Sequence, residues 1–152
     1  MNTLVTDTQS SFKWFILATA TFVTMLYAMN VTIASIALSD MRGAMGATQD
    51  QISWVVTGNI VATAIFTPFA GWLTSRIQIR TILIFSVLGF IISSIFCGLS
   101  NSLEEIVISR VAQGVFGAPL PPLSQTLVLA AFPVKQRSLA MAIWGMGTIL
   151  GP

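Results

Sequence analysis

The sequence contains no histidine, a single cysteine, and few charges: seven Lys or Arg and five Asp or Glu in 152 residues. Without histidine, imidazole metal sites and Ser–His or Cys–His catalysis are excluded. The lone Cys97 lies inside an apolar run and can close no internal disulfide. It reads as a small packing or lipid-facing residue. Charged residues make up 8% of the chain, against about 25% in soluble domains. So few charges cannot clothe a soluble surface. The net charge of +2 is too small to argue for a nucleic-acid partner. No Gly-x-x-x-x-Gly-Lys-Ser/Thr run and no metal-ligand cluster is present. The chain is therefore read as no enzyme, with no cofactor and no metal.

What is present is apolar: 55% of the residues are hydrophobic. They form long unbroken runs rather than the alternating segments of a membrane barrel. The fold class is thus all-α, a polytopic membrane helix bundle whose first partner is the lipid bilayer. A helix rises about 1.5 Å per residue, so about 20 residues cross a hydrocarbon core of about 30 Å. Four runs meet that length, at about 14–38, 52–73, 81–99 and 106–131. A fifth, at 138–152, reaches only roughly 22 Å and is partial. The first run is too long for the ~7–15 residue apolar core of a signal peptide, so it is expected to be retained. Residues 1–13 form an N-terminal tail whose first eleven residues are polar and expected to be mobile.

Charge placement sets the orientation. With the N-terminus in the cytoplasm, Lys13, Arg76, Arg80, Lys135 and Arg137 fall inside together with Asp7. Asp40, Arg42, Asp50, Glu104 and Glu105 fall outside. Five basic residues inside against one outside is the expected bias. Trp14, Trp54 and Trp72 stand near span ends, where indole rings anchor at the interface.

Several residues exceed what a plain anchor needs. Arg110 lies about five positions into the fourth run, where a charge costs about 2.5–3.5 kcal/mol at mid-bilayer. Two roles are open to it: a place in a substrate or proton pathway, or snorkelling to the outer interface beside Glu104 and Glu105. Asn30, within the first run, either bridges helices or lines a cavity. Asn59, Thr57, Thr63 and Thr67 give the second run a polar side, as Gln113 and Gln125 do for the fourth. Asn30, Asn59 and Gln113 are the cavity candidates. Pro119, Pro121 and Pro122 remove backbone donors and should kink or interrupt the fourth helix. Gly114 and Gly117 permit close helix contact. Gly71, Arg76 and Arg80 stand in the short connection between the second and third runs. Its arginines serve either as topology markers or as a cytoplasmic latch.

Four stretches together resemble a known family. They are Thr32-Ile33-Ala34-Ser35-Ile36-Ala37, Trp54-Val55-Val56-Thr57, Gly71-Trp72-Leu73-Thr74-Ser75-Arg76, and Arg110-Val111-Ala112-Gln113-Gly114 followed by Pro119 to Gln125. The chain resembles the N-terminal part of a major facilitator superfamily transporter, in the fourteen-helix drug–proton antiporter branch of EmrB-type multidrug exporters. The resemblance runs from about Phe22 to Pro152 and makes residues 14–152 a partial N-terminal transporter lobe. It implies that Arg110 takes part in proton coupling and that Gly71, Arg76 and Arg80 belong to the loop 2–3 motif. It also makes Gly147, Gly151 and Pro152, with Gly145, the start of the antiporter motif. Two positions depart from the family pattern. Asn30 stands where an aspartate is usual, and an amide cannot load and release a proton. Ser75 and Gln78 stand where the loop motif often has an acid and a glycine.

The implied function is proton-driven export of small hydrophobic or amphipathic compounds by alternating access, from a bacterial inner (cytoplasmic) membrane. The missing C-terminal helices of the same transporter are implied partners, as are a periplasmic adaptor and an outer-membrane channel. As this fragment alone the chain is expected to be inactive. The competing readings are a nonfunctional truncated remnant and a small oligomeric membrane interaction protein.

Overall fold

The computed structural model describes residues 3–46 and 48–151, with side chains described for 12–37, 43, 46, 48 and 50–151. Among the described residues its regular structure is all α-helix. The elements are α1 (Thr3–Met45), α2 (Gln49–Thr74), α3 (Ile79–Leu99), α4 (Leu103–Gly117), α5 (Leu120–Ala131) and α6 (Val134–Ile149). Three stretches are long and apolar enough to cross a membrane: Phe12–Ala37 within α1, Asp50–Thr74 and Ile79–Leu99.

The boundaries differ from the sequence expectation at the ends of α1. The tail and the loop expected at 39–51 are largely helical, because α1 runs for 43 residues. Nothing from Thr3 to Met45 is proline, and the helix ends where Gly46 turns to φ +60°. That left-handed conformation suits glycine at a helix C-terminus. The fourth span is interrupted at its prolines: α4 stops at Gly117 and α5 starts at Leu120. Pro119, Pro121 and Pro122 have no N–H, so the carbonyls of Val115, Gly117 and Ala118 lose their helical donors. Pro121 and Pro122 themselves sit in the first turn of α5, where no donor is required. With 15 and 12 residues, neither α4 nor α5 alone reaches across a bilayer.

The helix starts carry their own signals. At α2, Thr48 and Gln51 form a capping box, with Gln51 N donating to Thr48 Oγ1 at 3.4 Å and Thr48 N to Gln51 Oε1 at 3.0 Å. At α4, Ser102 Oγ accepts from Glu105 N at 3.3 Å, and Glu105 Oε2 accepts from Asn101 N at 2.9 Å. Asp50, Glu104 and Glu105 stand in first turns, where the helix dipole favours negative charge.

The chain divides into two compact units, residues 30–121 and residues 1–29 with 122–152. In the first unit α4 packs against both α2 and α3, which scarcely touch each other. Ile52, Val55 and Ile106 form its apolar cluster, with half-buried Cys97, Leu103 and Val107 around them. The close approach of α2 and α4 depends on Gly114. A Cβ there would lie 2.5 Å from the Asn59 carbonyl oxygen and 2.8 Å from the Ala62 Cβ. In the second unit Leu17 and Ala20 of α1 pack with Val128 and Phe132 of α5 and with Ala140 of α6. Trp14 meets Phe132 edge to face at 5.6 Å.

Polarity is inverted relative to a soluble protein. Ser86, Ser93, Ser109, Arg110, Gln113 and Ser124 are buried, while Ile91, Ile92, Ile95 and Phe96 of α3 are exposed. Apolar side chains facing outward match lipid, and buried polar ones must find partners within the protein.

Substituting Gly114→Val is expected to destabilise the protein by about 1–3 kcal/mol through overpacking. Gly98→Ala, where a Cβ meets nothing within 4 Å, is expected to be neutral or stabilising by a few tenths. Equilibrium unfolding of both variants in mixed micelles, followed by circular dichroism, checks the contrast.

Candidate functional site

Arg110 lies on α4 and is 9% exposed. Its Nη1 donates to Asn30 Oδ1 at 2.9 Å and to Gln113 Oε1 at 3.0 Å. Gln113 stands three residues further along α4 and shares a face with it, as helical spacing requires. Gln113 Nε2 in turn donates to Ser94 Oγ of α3 at 2.8 Å. From α2, Asn59 Nδ2 donates to the Arg110 carbonyl oxygen at 2.9 Å, and Thr63 Oγ1 to the Gly114 carbonyl at 3.4 Å. One polar layer therefore ties α1, α2, α3 and α4 together inside the first unit.

The guanidinium makes its hydrogen bonds to Asn30 and Gln113, and not to Glu104 or Glu105 at the start of α4. Those two acids are exposed, and Glu105 serves the cap. Both acceptors on Arg110 are neutral amides, and its Nε is buried without a hydrogen-bond partner. Hydrogen bonds to a charged group contribute about 1.5–3 kcal/mol each, and an orphaned buried group costs a comparable amount. The amides thus offset part of the cost of burying the cation but bring no opposite charge.

The other candidates have separate places. Asn59 is buried, and its bond to a backbone carbonyl joins α2 to α4. Gln125 and Thr57 are exposed. In the loop between α2 and α3, Gly71, Arg76 and Arg80 are exposed. The Arg76 guanidinium lies 4.9 Å from the Trp72 ring centroid, a cation–π contact. Ser75 Oγ donates to the Trp72 carbonyl at 2.7 Å. In the second unit Gly147 is pressed against Thr21, and a Cβ on Gly151 would lie 2.9 Å from the Met25 carbonyl oxygen. Pro152 lies outside the described residues, as do the side chains of Asp7, Asp40 and Arg42. Among the described residues, no three His, Cys, Asp or Glu gather to hold a metal. Ser94 was not among the sequence candidates. The available signal was a hydroxyl near the middle of the third apolar run, level with the polar residues of the fourth.

Apolar helices closed around a buried charged layer define a polytopic membrane protein. The chain belongs to the Major Facilitator Superfamily, whose family profile matches residues 20–152. It is similar to the multidrug export protein EmrB of Escherichia coli (strain K12), 40% identical over 129 residues, or 85% of this chain and 25% of that protein. It is also similar to the probable multidrug resistance protein EmrY of the same strain, 40% identical over 136 residues, or 90% of this chain and 26% of EmrY. The fatty acid resistance protein FarB of Neisseria gonorrhoeae is 37% identical over 124 residues, or 82% of this chain and 24% of FarB. The chain spans about a quarter of the length of these relatives.

Replacing Gln113 by Leu removes an acceptor from Arg110 and a donor from Ser94. The expected loss of stability is about 1–3 kcal/mol. Gln125→Leu, on an exposed position, should stay within about 0.5 kcal/mol. Unfolding of the two variants under identical micelle conditions reads the difference.

Proposed function

We propose that this chain is the N-terminal part of a proton-driven exporter of small hydrophobic or amphipathic compounds. In this reading it lies in the inner membrane of a bacterium with its N-terminus in the cytoplasm. The observation that carries the reading is the buried Arg110 at the junction of four helices, in a chain about 40% identical to proteins named as multidrug exporters. An anchor has no use for such a residue, whereas a pathway for charge or substrate does.

The mechanism is alternating access, in which two helix lobes rock about a site near the midplane. In this reading the chain contributes helices to one lobe, in keeping with its spanning about a quarter of the length of the exporters it is similar to. On its own the chain is not expected to transport. The polar layer of the first unit would form part of the cavity wall, with Asn30 and Gln113 beside Arg110. A guanidinium holds its charge across the working pH range. Arg110 therefore cannot be the group that loads and unloads the proton. It would act by its field on an acid that does, supplied by another part of the transporter. The inward excess of Lys and Arg supports the orientation. A periplasmic adaptor and an outer-membrane channel would be the partners of such an exporter. The relatives' names extend the substrate range to drugs and fatty acids.

The test uses the complete protein encoded by the reading frame that contains this chain, in membrane vesicles. Arg110→Ala should abolish efflux driven by a proton gradient while membrane insertion and abundance stay unchanged; undiminished efflux would refute the coupling role. Asn30→Asp places a titratable group within reach of Arg110 and should change the pH profile of transport. An identical profile would remove position 30 from the coupling pathway.

A further inference from the structure

We propose that a groove between α2 and α3 holds one acyl chain of an anionic phospholipid whose headgroup phosphate rests on Arg76 and Arg80. The proposal goes beyond the export reading and does not rest on it. Shape is the first ground. α4 packs against both α2 and α3, which scarcely touch each other. The gap between them is a groove of about 350 Å³, within the size range of ligand pockets. Phe66, Phe69 and Leu73 of α2, Phe85 of α3 and Phe116 of α4 line it, with Ile77 of the connecting loop. Phe69, Phe85 and Phe116 are exposed on its walls, so the groove is open rather than sealed. Such a lining suits hydrocarbon and offers nothing to a chain of polar groups.

Charge is the second ground. Leu73, Ile77 and Thr81 recur at every fourth position and all line the groove. Arg76 and Arg80 stand immediately before the last two, and both are exposed. An aromatic stack ties Arg76 to the groove wall. The rings of Phe66 and Phe69 lie 6.1 Å apart and those of Phe69 and Trp72 5.1 Å apart. The Arg76 guanidinium lies 4.9 Å from the Trp72 ring centroid. A ring face attracts a guanidinium without engaging its N–H groups, which remain available to phosphate oxygens. Basic residues at the ends of membrane helices attract anionic headgroups. Positive charge and an apolar channel thus meet at one end of this groove, which is the polarity of an anionic phospholipid. In a bilayer, phospholipid is also the amphiphile that surrounds every such opening.

The test uses the complete protein encoded by the frame containing this chain, delipidated in dodecyl maltoside. It is titrated with phosphatidylglycerol or phosphatidylcholine of identical acyl chains, and native mass spectrometry reads the bound lipid. Phosphatidylglycerol should bind about tenfold tighter or more, as two arginines near an anionic headgroup imply. Arg76→Gln combined with Arg80→Gln should erase the preference. Thr81→Trp, which fills the mouth of the groove, should weaken both lipids by about tenfold, the value of about two displaced methylene groups. In the unsubstituted protein, phosphatidylglycerol with a photoreactive diazirine in its acyl chain should label peptides that hold Phe69 or Phe85.

Equal binding of the two lipids would overturn the proposal. So would undiminished binding in Thr81→Trp, or photolabel recovered only outside α2, α3 and α4. Displacement by glycerol 3-phosphate, which has no acyl chain, would make this a site for free phosphate esters and would also overturn it. A protein that binds phosphatidylglycerol selectively but exports nothing sinks the export reading and leaves this assignment standing. One that exports but binds the two lipids equally sinks this assignment alone.

Discussion

Burying one permanent positive charge among apolar helices is the constraint around which the first unit is arranged. The guanidinium of Arg110 needs acceptors, so the helices around it must bring oxygen atoms to it. Asn30 from α1 and Gln113 from α4 do so directly. Ser94 from α3 takes up the far side of Gln113, and Asn59 from α2 holds the backbone at Arg110 itself. Gly114 lets α2 come close enough for that last bond, because any side chain there would meet the Asn59 carbonyl. Removing one member exposes the next as an unsatisfied buried group, so the layer behaves as a unit rather than as separate pairs.

The second unit rests on packing instead. Leu17, Ala20, Val128, Phe132 and Ala140 meet without a buried charge. Close contacts at Gly147 and Gly151 bring α6 and the segment after it against α1. One unit is thus built around buried polar groups and the other around close helix contact.

Much of this was legible in the residues. The runs that became α2 and α3 announced themselves by length and by the scarcity of charge. Arg110 stood out because a cation in an apolar run has no innocent environment. Other features were hidden for physical reasons. The polar ends of α1 look like tail and loop by composition, yet no proline interrupts them, and an established helix propagates at little cost per residue. Three prolines signalled trouble in the fourth run, but the break falls at Ala118 and Pro119 because a helix tolerates proline within its first turn. The bond from Asn59 to the Arg110 carbonyl has no signature in a sequence, because its acceptor is backbone. Arg76 reads from the sequence as a topology marker or a latch, and its contact with the ring of Trp72, one helical turn earlier, does not decide between them.

This arrangement requires Asn30 and Arg110 to be energetically coupled across the first unit. A double-mutant cycle in the complete protein measures this directly, using Asn30→Ala, Arg110→Met and the pair in equilibrium unfolding experiments. The expected coupling free energy is about 1–3 kcal/mol, the range for a hydrogen bond to a buried charge. Additivity of the two substitutions to within about 0.5 kcal/mol would contradict it.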